Sequence, residues 1–217
     1  MQGRHFGADV TPERLARIDA RRGVPPGQSC VSSWKVMHYG RVPRSTDPQG
    51  WDFRVIGATA SGTEHILDFA TLATLPRVSV LADLHCVNGF SLLDLTWTGI
   101  PTRALLELAP PREDVRHVMA WAQYGYSANL RLADLQAEGT LLATGVGGED
   151  LSPEHGGPLR LVLPHLYAWK GPKWLRAIEY LTEDRRGFWE ERGYHNSADP
   201  WSGERYAYQE SAATGPN

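Results

Sequence analysis

The chain has 217 residues, a formal net charge of −3, 41% hydrophobic and 22% charged residues. That is enough apolar sequence for one core, and it offers no basic footprint for nucleic acid or an anionic membrane. No apolar run approaches the roughly 20 residues of a membrane helix, and residues 1–7 lack the apolar region of an export signal, so no membrane segment is expected and the cytoplasm is the expected compartment.

In chain order, Thr11-Pro12-Glu13-Arg14 places a hydroxyl before a proline and predicts a short surface helix over 8–22, with Leu15 and Ile18 facing inward. Val24-Pro25-Pro26-Gly27 forces an extended segment. Residues 51–57 alternate with period two and end in glycine, which predicts a strand, and 68–76 reads as a helix stopped by Pro76. Residues 78–84 form an apolar, β-branched strand running into Cys86 and the small polar turn Val87-Asn88-Gly89. With Gly99 and Pro101, 97–101 reads as a turn. Short helices are predicted over 102–108 and 130–137, and a strand over 115–121. Gly147-Gly148-Glu149-Asp150 predicts a hairpin turn. Residues 159–164 are an apolar strand with Arg160 embedded in it, and 174–181 another strand. From 184 onward the chain is rich in Gly, Trp and Tyr without a period, and its end reads as disordered. Eight Trp, eight Tyr and fifteen Pro predict short strands, long structured loops and a pocket with aromatic walls. The pattern is that of one mixed α+β domain over 24–206, between an N-terminal extension (1–23) and a tail (207–217).

The chemistry starts from scarce residues. Cys30 and Cys86 are the only cysteines, too few for a structural zinc site and not in a C-x-x-C pair. At a strand end, Cys86 can be a nucleophile, a redox-sensitive thiol, one ligand to a metal held mainly by something else, or simply a small buried hydrophobe. Arg160 needs a partner, because charges inside apolar strands are rarely left alone. It follows His155-Gly156-Gly157-Pro158, whose glycines let the backbone approach a ligand, and it precedes Lys170-Gly171-Pro172-Lys173, two ammonium groups flanking a rigid turn. An Arg, two Lys and exposed amides are the donor set of a phosphate or pyrophosphate grip. The Rossmann and P-loop spacings are both absent. His38, beside Tyr39, is a third candidate, for which a hydrogen-bonded structural role is the ordinary alternative.

Together these segments resemble a known family. Cys86 in His-Cys-Val-Asn-Gly-Phe-Ser, the segment Leu95-Thr96-Trp97-Thr98-Gly99-Ile100-Pro101, the H-G-G-P-x-R loop at 155–160, the K-x-x-K turn at 170–173 and residues 187–195 are similar in content and order to the molybdenum-cofactor domain of the sulfite oxidase superfamily. The resemblance covers about residues 24–206 and implies a sulfite oxidase-type α+β fold of mixed sheets and short helices. It implies a molybdenum–molybdopterin cofactor, a pyranopterin dithiolene, whose metal takes Cys86 as its protein ligand; Cys86 would also be the catalytic centre. Arg160, Lys170 and Lys173 would hold the pterin phosphate, Gly171 and Pro172 between the lysines would bind the cofactor with them, His155 would contact the cofactor from its loop, and Met37 and His38 would meet the pterin from the N-terminal side.

Sulfite oxidases carry arginines just after the ligand Cys, where this chain has Phe90 and Ser91. The run Cys-Val-x-x-aromatic-Ser is instead similar to the bacterial branch that reduces methionine sulfoxide in proteins, whose members are exported. The implied activity is two-electron oxygen-atom transfer, the reduction of an S-oxide or N-oxide, methionine sulfoxide first; the sequence does not reveal the electron donor, for which a haem or a flavin protein are candidates. Phe90, Tyr124, Tyr126 and Trp169 would form an apolar wall. The alternatives are sulfite oxidation, with cations recruited from Arg41 or Arg131, and a cofactor-binding scaffold without turnover.

Overall fold

The apolar run before Cys86 builds the centre of the molecule. In the computed structural model, which describes residues 15–19 and 22–212, β5 (Arg77–Cys86) turns through Val87-Asn88-Gly89 into β6 (Phe90–Pro101). The Gly89 N–H donates to the Cys86 carbonyl at 3.0 Å, and Gly89 takes a φ of 87°, a conformation that suits a residue without Cβ. Val78, Val80, Ala82 and Leu84, alternate residues of β5, pack with Trp97, Leu141, Ala143 and Val162 in one apolar cluster. Between Ala82 and Leu84 the register with β6 shifts, and the buried Asp83 carboxylate accepts from the backbone N–H groups of Gly23 (2.7 Å) and Asp94 (2.8 Å).

Among the described residues, seven strands form the sheet around this hairpin. Its order is β1 (Leu15–Asp19), β5, β6, β9 (Leu141–Val146) and β10 (Glu149–Asp150), with β2 (Ser29–Cys30) on β6 and β11 (Arg160–Val162) on β9. The second sheet runs β4 (His65–Leu67), β3 (Phe53–Gly57), β12 (Leu175–Leu181), β7 (His117–Ala122) and β8 (Ser127–Arg131). The β1–β5, β2–β6 and β3–β12 pairs are parallel and the others antiparallel. Three short helices complete the elements: α1 (Phe69–Thr74), α2 (Thr102–Leu108) and α3 (Leu132–Gln136). Asp68 caps α1, accepting from the Thr71 N–H at 2.8 Å. The larger apolar cluster joins residues of both sheets, among them Phe53, Val55, Ile100, Leu142, Leu161 and Ile178.

Each strand expected over 51–57, 78–84, 115–121, 159–164 and 174–181, and each helix over 68–76, 102–108 and 130–137, has its element within a few residues. Two expectations fail. Residues 97–101 are not a turn but the second half of β6, because Gly99 serves a close approach: a Cβ there would lie 2.1 Å from the Leu142 carbonyl oxygen of β9. The helix expected over 8–22 is replaced at 15–19 by β1, which pairs with β5 from Leu15↔Arg77 to Asp19↔Leu81, tertiary pairing overriding the local signal. Residues 8–14 and 20–21 lie outside the described residues. Residues 207–212 form a 3-10 helix where the tail was expected to begin; its Glu210 carboxylate accepts from the Asn196 N–H at 2.6 Å and pairs with Arg186. Residues 213–217 lie outside the described residues.

Candidate functional site

A cleft of about 990 Å³, open solvent at its mouth included, lies beside the end of β5. Its walls come from the loop at 34–39, the β5–β6 hairpin, the turn at 168–174, and Trp189 and Tyr194, with Tyr126 and Arg160 also on the wall. Cys86, Met37, His38, Arg160, Gly171, Pro172 and Lys173 all line it, so seven of the residues singled out from sequence meet in one place. The Cys86 thiol is half-buried, and burial pushes it up from its ordinary value; the Asn88 backbone N–H and the charges of Arg205 and Lys35 oppose that shift. A thiol raised this way stays protonated at neutral pH, which speaks against a poised nucleophile and leaves deprotonation to a bound metal. Cys30 is exposed and does not line the cleft.

Arg160 is 4% exposed at the start of β11. One nitrogen donates to the His155 carbonyl at 3.0 Å, the guanidinium sits 5.8 Å from the Trp34 ring and 5.5 Å from the Trp97 ring, and Nε has no partner. No carboxylate pairs with it among the described residues. Burial pushes it down to about 10. Lys173 is pushed down to about 7, first by burial and then by the Arg160 charge, against the opposing charge of Glu154, and its Nζ donates to the Glu154 backbone carbonyl at 2.6 Å. Two like charges are thus held together against their own repulsion, one with an unsatisfied donor. This is what a bound phosphate would relieve. Gly171 lets the turn pass close to β11, since a Cβ there would lie 2.4 Å from the Leu161 carbonyl oxygen.

Two expected residues stand elsewhere. Lys170 does not reach the cleft: it is fully buried, and its Nζ holds the Asn129 carbonyl (2.8 Å), Asn129 Oδ1 (2.9 Å) and Glu190 Oε1 (2.7 Å). An ammonium so neutralised has no donor left for a phosphate. His155 stacks on Trp34 with ring centres 3.8 Å apart and touches Arg160 through its carbonyl rather than lining the cleft. Burial, then the Lys173 and Arg160 charges, push its imidazole down, toward the neutral form.

Phe90, Tyr126 and Trp169 are on the cleft wall, but Tyr124 is 41% exposed outside it. Ser91 is buried against His85, Oγ to Nδ1 at 2.9 Å. Arg41 sits over the Tyr124 ring and Arg131 pairs with Asp134, so neither supplies a cation to the cleft. Trp34, Lys35, Trp189 and Tyr194 on the wall were not anticipated. Trp34 and Lys35 adjoin Met37 and His38 in the same aperiodic loop, and that adjacency was the available signal.

Among the described residues no three His, Cys, Asp or Glu side chains converge on a metal position. A metal at Cys86 would therefore need its remaining ligands from a non-protein group, and a cofactor with sulfur donors and a phosphate matches the thiol and the cationic pair of this cleft. A family model described as the oxidoreductase molybdopterin binding domain matches residues 39–189, and the chain belongs to that family. It is an oxidoreductase whose cofactor is molybdenum–molybdopterin. It is 42% identical over 197 residues, 90% of this chain and 98% of the relative, to "Uncharacterized oxidoreductase YuiH" of Bacillus subtilis. It is 28% identical to the protein-methionine-sulfoxide reductase catalytic subunits MsrP of Gluconobacter oxydans and Campylobacter jejuni. Those matches cover 70% and 90% of this chain, but 55% and 72% of the relatives. The fold resembles the sulfane dehydrogenase SoxCD of Paracoccus pantotrophus with a TM-score of 0.62 at 18% identity, over 76% of this chain and 47% of that one. The α+β architecture is therefore of the sulfite oxidase type, near the MsrP-like branch. No helix among the described residues is long and apolar enough to cross a membrane.

Proposed function

We propose that the protein transfers an oxygen atom in a two-electron reaction, reducing an S-oxide or N-oxide, with methionine sulfoxide as the first substrate to test. The observation that carries the reading is one cleft shared by a half-buried thiol, with no metal-binding cluster of His, Cys, Asp and Glu among the described residues, and by a buried Arg160 that no carboxylate pairs there, with the partly buried Lys173 beside it. Cys86 would be the metal's protein ligand. Arg160 and Lys173, across the Gly171-Pro172 turn, would hold the pterin phosphate, and Met37 and His38 would flank the pterin. His155 would act only by fixing Arg160 through its carbonyl.

When bound, the cofactor supplies the two-electron redox couple and an open coordination position. Phe90, Trp169 and Trp189 supply an apolar wall for the substrate's alkyl groups and keep water from it. The balance is a sulfoxide plus two electrons and two protons giving a thioether and water, the electrons coming from a haem or flavin protein. Support for the sulfoxide comes from the MsrP relatives and from the missing arginines: Phe90 is apolar wall and Ser91 is turned inward to His85. Sulfite, a small dianion, would lack the bidentate donors it needs. The test compares kcat/KM for methionine sulfoxide, with a reduced dye, against sulfite, with an oxidised dye, on one cofactor-loaded preparation. The sulfoxide should win by orders of magnitude. Efficient sulfite turnover would reverse the assignment.

A further inference from the structure

Three cations line the cleft, and the phosphate grip accounts for two of them, Arg160 and Lys173. Arg160 and Lys173 lie in each other's field. The third, Lys35, is on the Cys86 side: its Nζ sits 5.3 Å over the ring of Phe90, the residue paired with Cys86 across the hairpin. The charges of Lys35 and Arg205 oppose the rise of the Cys86 thiol. Arg205 stands behind the wall rather than on it. Its guanidinium donates to the Gly27 and Val87 carbonyls and to the Tyr167 hydroxyl. Lys35 is on the wall, exposed, and without a carboxylate or hydrogen-bond partner among the described residues.

An exposed ammonium is ordinarily just solvated. What sets Lys35 apart is its company: a cleft in which no Asp or Glu is among the described lining residues, a thiol beside it, and an aromatic face that restricts where the ammonium sits. An ammonium with no carboxylate of its own beside it is a point charge that a carboxylate on a bound substrate can pair with.

We propose that Lys35 is a specificity-determining residue that binds a carboxylate carried by the oxide substrate, on the Cys86 side of the cleft and apart from the phosphate grip. The proposal rests on the oxide-reductase reading above and names its substrate class as anionic S-oxides or N-oxides. The probes are methylsulfinylpropanoate and its primary amide, nearly equal in shape and different in charge, with their thioether products as ligands that need no turnover. On cofactor-loaded protein at low ionic strength, kcat/KM should favour the carboxylate by about threefold to tenfold, expressed in KM rather than kcat. The preference should vanish in Lys35→Gln, persist in Lys35→Arg, and fade as salt screens the ammonium. Calorimetry on the two thioethers should show the same Lys35-dependent preference. If neither sulfoxide turns over while that binding preference remains, the oxide-reductase reading falls and the anion subsite stands. Equal affinities for the carboxylate and amide thioethers, or a preference that Lys35→Gln leaves intact, would overturn the proposal.

Discussion

Lys170 and Lys173 bracket one tight turn, and the fold treats them in opposite ways. Behind the turn, Lys170 is locked to Asn129 and Glu190; Asn129 in turn donates to Asp184 (2.9 Å) and Asn196 (2.7 Å), and the Trp169 indole N–H donates to Glu190 at 3.0 Å. In front of it, Lys173 has a backbone carbonyl and a like-charged neighbour in Arg160. The buried ammonium has a full set of three acceptors, although Glu190 Oε2 is left without a hydrogen-bond partner, whereas at the cleft Arg160 Nε lacks one. The contrast is what the proposed phosphate grip calls for: one lysine neutralised inside the protein, the other left able to meet a negative charge from a ligand.

The sharpest way to break this comparison is to remove each lysine in turn. Lys170→Met leaves Glu190, 2% exposed, without its cation and should cost about 3–5 kcal/mol, seen as a lower urea midpoint at unchanged slope. Lys173→Met should change the stability of the cofactor-free chain by less than about 1 kcal/mol or raise it, since an ammonium that burial already disfavours is gone. Equal losses for the two would mean that both lysines are structural.

A smaller effect separates binding from folding. Arg160→Ala should weaken cofactor retention by more than about tenfold, because charge-assisted hydrogen bonds are worth about 1.5–3 kcal/mol each, while leaving the cofactor-free chain as stable or more so. Molybdenum content after gel filtration, beside a denaturation curve, reads both. Full occupancy in the variant would show Arg160 to be a structural residue.

The smallest effect is a slope with pH. Lys173 is pushed down to about 7 from 10.5. Between these values the unfolded chain carries a proton that the folded chain has released, so the stability of the cofactor-free chain rises as pH climbs from about 7, and the gain is complete near 10.5. An anionic cofactor favours charged Lys173, so loading above about pH 7 should take up protons. Lys173→Met should remove its share of both, checked by denaturation across pH and by calorimetry in buffers of different ionisation enthalpy.

The sequence was legible where local rules and the fold agree. The β5 run, the Asp68-capped helix and the Gly147-Gly148 hairpin follow from period and turn chemistry. It misled where one residue type serves two ends. Gly99 has the look of a turn, yet the cause is a neighbouring backbone passing at close range. For the site, Cys86, Arg160 and Lys173 were readable as a thiol at a strand end, a charge in an apolar strand and a cation at a rigid turn. Lys170 was not distinguishable from Lys173, because its partners Asn129 and Glu190 lie 41 and 20 residues away and nothing local foretells that pairing. Lys35 escaped notice for the same reason: only the folded loop brings it over Phe90.

The central claim is that Cys86 provides the protein ligand in a cleft otherwise built to hold molybdopterin. Molybdenum X-ray absorption on cofactor-loaded wild type, Cys86→Ser and Cys30→Ser tests it most directly. The wild type should show one thiolate sulfur beyond the dithiolene pair. Cys86→Ser should lose one sulfur scatterer and oxygen-atom transfer with it, while Cys30→Ser, altered at an exposed thiol away from the cleft, should match the wild type. An unchanged sulfur count in Cys86→Ser would contradict the account.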